Sequence, residues 1–142
     1  MHPILQNMNL ENIIYVAGKP GLYQIISQGK NMIVGESLID QKRTSLHLNN
    51  QTTVLKDIGI YTYDEAKPLE DIFEIIANKE KYKEIANINS LTKEEIRIYF
   101  KDIIPEYDEE RVYISDIKKV MKWYNILCKC ELIKKSKKKN DE

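Results

Sequence analysis

The stretch Gly18-Lys-Pro-Gly-Leu-Tyr-Gln-Ile-Ile-Ser-Gln-Gly-Lys-Asn-Met-Ile-Val-Gly-Glu-Ser-Leu38 decides how the rest of the chain is read. Its first four residues are turn punctuation: Pro20 presets φ, and Gly21 supplies the positive φ that follows proline in a type II turn. Residues 22–27 and 32–39 then read as two strands, joined around Gln28-Gly-Lys-Asn31 with Gly29 in the left-handed position. The first of these strands is apolar on both faces, with Leu22 and Ile26 on one and Tyr23 and Ile25 on the other. A strand of that kind is covered on both sides. The hairpin is therefore expected to lie between a β core and a second layer packed outside the sheet.

Working outward, residues 10–17 (Leu-Glu-Asn-Ile-Ile-Tyr-Val-Ala) read as a turn leading into an extended segment. Residues 1–9 show no periodicity, Met8 is a second possible start, and the segment is expected to be a disordered leader. After the hairpin, residues 42–48 alternate as a third strand, and Asn49-Asn50 ends it by turn chemistry. Residues 52–57 fit a single helical turn capped by a threonine. Residues 58–63 (Ile-Gly-Ile-Tyr-Thr-Tyr) read as a fourth strand. Short strands, short turns and one helical turn before the last strand are the order of a small SH3-like β barrel, and a twisted β meander fits the same pattern.

The composition then changes. Pro68 opens an amphipathic helix with Leu69, Ile72, Phe73 and Ile76 on one stripe, expected to run to about residue 85. Thr92 and Glu95 form a capping box ahead of Ile96, Tyr99, Phe100 and Ile103, and Pro105 closes that second helix. Ser115 is the expected cap of a third helix, whose buried face carries Ile117, Val120, Met121, Tyr124 and Leu127. The fold expected is α+β, an SH3-like β subdomain over residues 10–63 packed against a three-helix subdomain over residues 64–132. Residues 133–142 are the expected disordered basic tail.

Composition limits the function classes. The 142 residues carry 22 basic and 22 acidic side chains, 42% hydrophobic residues and 8% aromatics, which is ordinary for a soluble domain. Charge divides as +1 over residues 1–62, −3 over residues 63–130 and +2 over the last twelve. No part has the basic field that dominates nucleic-acid affinity, apart from the run Lys134-Lys-Ser-Lys-Lys-Lys139. No apolar run approaches the roughly 18 residues of a membrane span, and the N-terminus lacks the pattern of a signal peptide. A cytoplasmic location without membrane contact follows as the expectation. Cys128 and Cys130 point to different sides of a helix and suit reduced thiols in that compartment.

Residues 18–23 (Gly-Lys-Pro-Gly-Leu-Tyr) followed by Ser27-Gln-Gly29 and Glu36-Ser-Leu38 resemble the N-terminal signature of a family of small bacterial proteins of unknown function. Ile60-Tyr-Thr62, Pro68-Leu69, residues 111–120 (Arg-Val-Tyr-Ile-Ser-Asp-Ile-Lys-Lys-Val) and Trp123-Tyr-Asn125 are similar to the helical part of the same family. The resemblance covers residues 9–132. It implies one compact unit with two halves and no activity, cofactor or site.

The Gly18-x-x-Gly21 turn lacks the third glycine, the lysine–hydroxyl pair and the following helix of a phosphate loop. His2 and His47 are the only histidines, and neither stands beside a nucleophile, so no catalytic set is present. The carboxylates Asp64, Glu65, Glu70, Asp71, Glu74, Asp102, Glu106, Asp108, Glu109 and Glu110 read as a solvated acidic rim without metal-loop spacing. Tyr23, Tyr61 and Tyr63 on the strands either fill the seam between barrel and helices or form the candidate binding surface, since small barrels grip peptides, and at times single-stranded nucleic acid, with surface tyrosines. Trp123, Tyr124 and Tyr113 are assigned to the seam between barrel and helices. The expectation is a non-enzymatic binding or adaptor module without cofactor or metal, with an unknown protein as partner, held by the tyrosine face or by the acidic helical rim. The alternative is a nucleic-acid-binding (RNA or DNA) regulatory protein.

Overall fold

The leader turn delivers the chain into its first strand: Leu10–Asn12 makes one 3-10 turn and β1 runs over Ile13–Val16. The computed structural model describes residues 10–19, 21–47 and 51–133, so the expected leader and lysine tail lie outside the described residues, as do Pro20 and Asn49-Asn50. Four further strands complete the main sheet: β2 (Tyr23–Gln28), β3 (Met32–Ser37), β4 (Arg43–His47) and β5 (Thr52–Val54). All neighbours are antiparallel, in the order β4-β3-β2-β1-β5.

No backbone ladder joins β4 to β5 among the described residues, so the described sheet is open and departs from the closed barrel expected. It is nevertheless curled. Thr52 Oγ1 donates to the His47 carbonyl at 3.1 Å. The two strands stand four places apart in the sheet, about 19 Å if it were flat at the usual strand spacing. A β-bulge between Ile25 and Ser27 provides one source of the bend. Gly35 provides room inside it, because a Cβ there would lie 2.9 Å from Leu46 Cδ1 and 3.3 Å from Tyr23 Cβ.

Both faces of the sheet are covered where the sequence is apolar on both. On the concave side, Ile14, Val16, Tyr23, Ile33 and Leu46, with Ile25 and Val54 beside them, draw on all five strands. On the other side, Ile13, Leu22 and Leu38 join the core of the helices. Coverage stops at the far end of the hairpin, where Ile26 and Met32 are exposed.

Three local expectations are corrected. The left-handed residue of the hairpin is Asn31 (φ 66°) and not Gly29, as asparagine tolerates that conformation. Residues 52–54 extend as β5 against β1, and the helical turn is confined to Leu55–Asp57, with Val54 in place of a threonine cap. Three β-branched residues beside a free strand edge favour pairing over a helical turn. Residues 58–63 do not join the main sheet: β6 (Gly59–Ile60) pairs with β7 (Lys67–Pro68), and Thr62 bridges to Tyr107.

Helix α1 (Leu69–Glu80) ends five residues earlier than its periodicity predicts. Lys81 and Tyr82 turn left-handed, and the Tyr82 amide donates to the Ala77 carbonyl at 2.7 Å, a closure of Schellman type. Helix α2 (Lys93–Ile103) carries the expected capping box, with Thr92 Oγ1 accepting from the Glu95 amide and Glu95 Oε1 from the Thr92 amide. Helix α3 (Ile114–Lys129) starts before Ser115: Tyr113 occupies the cap position, and its N–H donates to Asp116 Oδ2. One core unites Leu10, Ile13, Leu22, Leu38 and Leu55 with the apolar stripes of all three helices. Ile133, placed by sequence at the start of the tail, is buried in it.

Candidate functional site

The three tyrosines proposed as a surface part company in the fold. Tyr23 is 8% exposed and packs in the concave core of the sheet. Tyr61 and Tyr63 are 50% and 66% exposed. They stand on a segment tied to the α2–α3 connection, where Asp108 N–H donates to the Tyr61 carbonyl and Tyr63 N–H to the Glu106 carbonyl, each at 2.9 Å. The Tyr63 hydroxyl accepts from the Glu109 amide at 3.3 Å.

Tyr61 stands at the rim of a hollow of about 330 Å³ between the sheet and α3. Its floor follows from helix geometry. Asp116, Lys119, Val120 and Trp123 are spaced three, four and seven apart, so they share one side of α3, and all four line the hollow. Tyr15 faces them from β1, and its ring lies 5.2 Å from that of Trp123 at a tilt of 55°. Lys119 sits one turn from Trp123 and sets its Nζ 4.9 Å from the centre of the Tyr15 ring.

The rim beside Tyr61 is built by a turn. Asp108 is 8% exposed, and its carbonyl accepts from the amides of Arg111 and Val112. Its carboxylate accepts from the Glu110 amide at 3.0 Å and from Arg111 Nε at 2.9 Å. The Arg111 hydrogen bond holds its pKa below the usual aspartate value against the opposing effect of burial. So restrained, the Arg111 guanidinium lies 4.1 Å from the centre of the Tyr61 ring. Asp108 therefore departs from the solvated rim to which the sequence assigned it. Glu109 remains on that rim, paired with Lys101.

The hollow thus has an aromatic and aliphatic floor, with Arg111 over Tyr61 and Lys119 over Tyr15. It can hold an apolar group and present N–H donors to an anion. Trp123 stands at the seam as expected, against Tyr15 of β1, whereas Tyr124 packs on Phe73 and bonds the Lys83 carbonyl within the helical half, and Tyr113 is 65% exposed. Sequence reasoning did not single out Tyr15, Arg111 or Lys119. The one local signal was the spacing Asp116-x-x-Lys119-Val120-x-x-Trp123. Among the described residues no group of three or more His, Cys, Asp or Glu side chains is arranged to hold a metal ion, and no helix is long and apolar enough to cross a membrane.

No curated protein is significantly similar to this chain. Residues 10–55 match the family described as Domain of unknown function (DUF5606), and residues 58–127 match Domain of unknown function (DUF6852). The two matches meet between Leu55 and Ile58, where the main sheet ends. A solution NMR structure of a structural-genomics target from Bacteroides vulgatus is similar at a TM-score of 0.73 and 38% sequence identity, covering 89% of this chain and 90% of that one. The sequence signature, both domain matches and the end-to-end likeness agree: the chain belongs to the family of bacterial proteins of unknown function that these domains and the Bacteroides vulgatus protein represent.

Proposed function

We propose that this protein is a non-enzymatic binding module that takes a protein or peptide ligand in the hollow between the curled sheet and α3. The observation that carries the reading is the placement of Tyr15, Tyr61 and Trp123 in one hollow with Arg111 and Lys119 set over the tyrosines. Aromatic and arginine side chains around a small apolar depression are the usual anchors of peptide recognition. Strand order β4-β3-β2-β1-β5 and the curl of the sheet support an SH3-like reading of the β half. A reducing, cytoplasmic setting suits Cys128 and Cys130, which are both unpaired.

Affinity capture with the full chain as bait tests this reading against Tyr61→Ala and Lys119→Ala. These two side chains are exposed at the rim, so the fold tolerates their loss. The expected result is one protein retained reproducibly by the wild type and lost from both variants. Identical recovery with all three baits sinks the reading. Nucleic acid is the second class, because rings paired with cations also stack on bases. It requires binding to a single-stranded oligonucleotide that weakens steeply with salt.

A further inference from the structure

Hydrogen-bonding capacity remains in the hollow after every internal contact is made. Arg111 uses Nε on Asp108, and its terminal N–H groups have no acceptor among the described residues. Lys119 faces the Tyr15 ring and likewise has no ion-pair partner there. Asp116 is the acid among the lining residues, and its Oδ2 accepts from the Tyr113 amide. Both side chains are exposed and hydrated in the free chain, so an anionic group from outside can replace that water, and the floor of Tyr15, Ile58, Ile60, Val120 and Trp123 offers an apolar group a place beside it.

Size narrows the choice. At about 330 Å³ the hollow falls at the small end of ligand pockets, which span roughly 300–1,000 Å³. An acidic residue within a chain would bring backbone in on both sides, whereas a chain end brings it in on one. A terminal residue also carries a carboxylate and a side chain on the same carbon, matching cations beside an apolar floor. The exposed Tyr61 ring at the rim offers the residues before it a surface to cross.

We propose that the hollow receives the C-terminal residue of a partner polypeptide, its α-carboxylate held by Arg111 and Lys119 and its large apolar side chain packed on Tyr15 and Trp123. This rests on the binding-module reading above and adds the ligand's chemistry. Capture of a free chain end is a known recognition mode, and charge-assisted bonds supply the discrimination between acid and amide.

The test is an NMR titration of the full chain with three sets of hexapeptides. The first ends in Leu or Phe with a free carboxylate, the second is the same with an amidated end, and the third is amidated with an internal Glu beside the Leu or Phe. The free acids should shift the Trp123 indole resonance and bind about tenfold or more tightly than the amides, the scale of a lost charge-assisted bond. Lys119→Gln, at an exposed site, should weaken the free acids alone, and Arg111→Gln should weaken them more. If Arg111→Gln loses the folded spectrum, Lys119→Gln carries the test. Equal binding of acid and amide overturns the terminal-carboxylate inference and leaves the peptide-binding reading standing. Tighter binding of the internal-Glu set overturns it in favour of an acidic side chain. No shift of Trp123 with any set at millimolar peptide also overturns it, and the capture experiment then judges the broader reading separately.

Discussion

Asp108 shows how one side chain sets the shape of the candidate site. Its carboxylate fixes Arg111, its amide fixes the Tyr61 carbonyl, and the Arg111 guanidinium then covers the Tyr61 ring. Because the Asp108 pKa is lowered in the folded state, the contribution of this ion to stability is complete above the unfolded aspartate value of about 3.9 and is lost as pH falls through the lowered folded value. Asp108→Asn should therefore lower the thermal midpoint at pH 7, and the gap to wild type should close as the pH is brought below the normal aspartate range. Melting curves across pH 2–7 decide it; a gap that stays constant in acid would place the cause elsewhere. Nothing in the local sequence distinguishes Asp108 from Glu106, Glu109 or Glu110. Its burial comes from the bridge between Thr62 and Tyr107, a pairing across more than forty residues.

At the scale of elements, α3 organises the helical half by gripping the connection after α1. Asn125 Oδ1 accepts from the Ile85 amide at 2.7 Å, and its Nδ2 donates to the Ile85 carbonyl at 2.9 Å. The Tyr124 hydroxyl donates to the Lys83 carbonyl at 2.9 Å. These bonds give non-helical backbone the partners it needs once α1 has stopped at Glu80. Asn125→Ala should cost about 1–3 kcal/mol, the range for a polar backbone pair left without its partner. Urea denaturation measures the loss, and the Ile85 amide should exchange faster with solvent. An unchanged Ile85 amide would show that water serves as well as Asn125. The premature stop of α1 was not legible in an apolar pattern that continues to Ile85, because Lys81 and Tyr82 are uncommon in the left-handed conformation they adopt.

For the whole molecule, the two matched domains share a single core. Leu10, Ile13, Leu22, Leu38 and Leu55 of the β half are buried against helices, and Cys130 Sγ donates to the Leu38 carbonyl at 3.0 Å from the end of α3. Separated, the β half would expose that entire face and retain only the small concave core. A fragment of residues 10–57 should therefore fail to give a dispersed amide spectrum, while the full chain melts in one transition whether followed by circular dichroism or by Trp123 fluorescence. Two separate transitions would mean that the halves fold independently.

The sequence by itself determined the hairpin, the burial of Leu22 and Tyr23 on opposite faces though not that of Ile26, the capping box of α2 and the order of a β half before three helices. Each of these rests on chemistry within a few residues: period-two or period-3.6 burial, or a side chain reaching the next turn. Only the tertiary structure decided that residues 52–54 pair with β1, that residues 58–63 leave the main sheet, and that Tyr23 turns inward while Tyr61 stays out. It also assembled the hollow, bringing Tyr15, Tyr61, Arg111, Lys119 and Trp123 together from a strand, a bridging segment, a turn and a helix. Partners so far apart in the chain leave no mark in local pattern, since strand edges and ring faces are chosen by what packs against them.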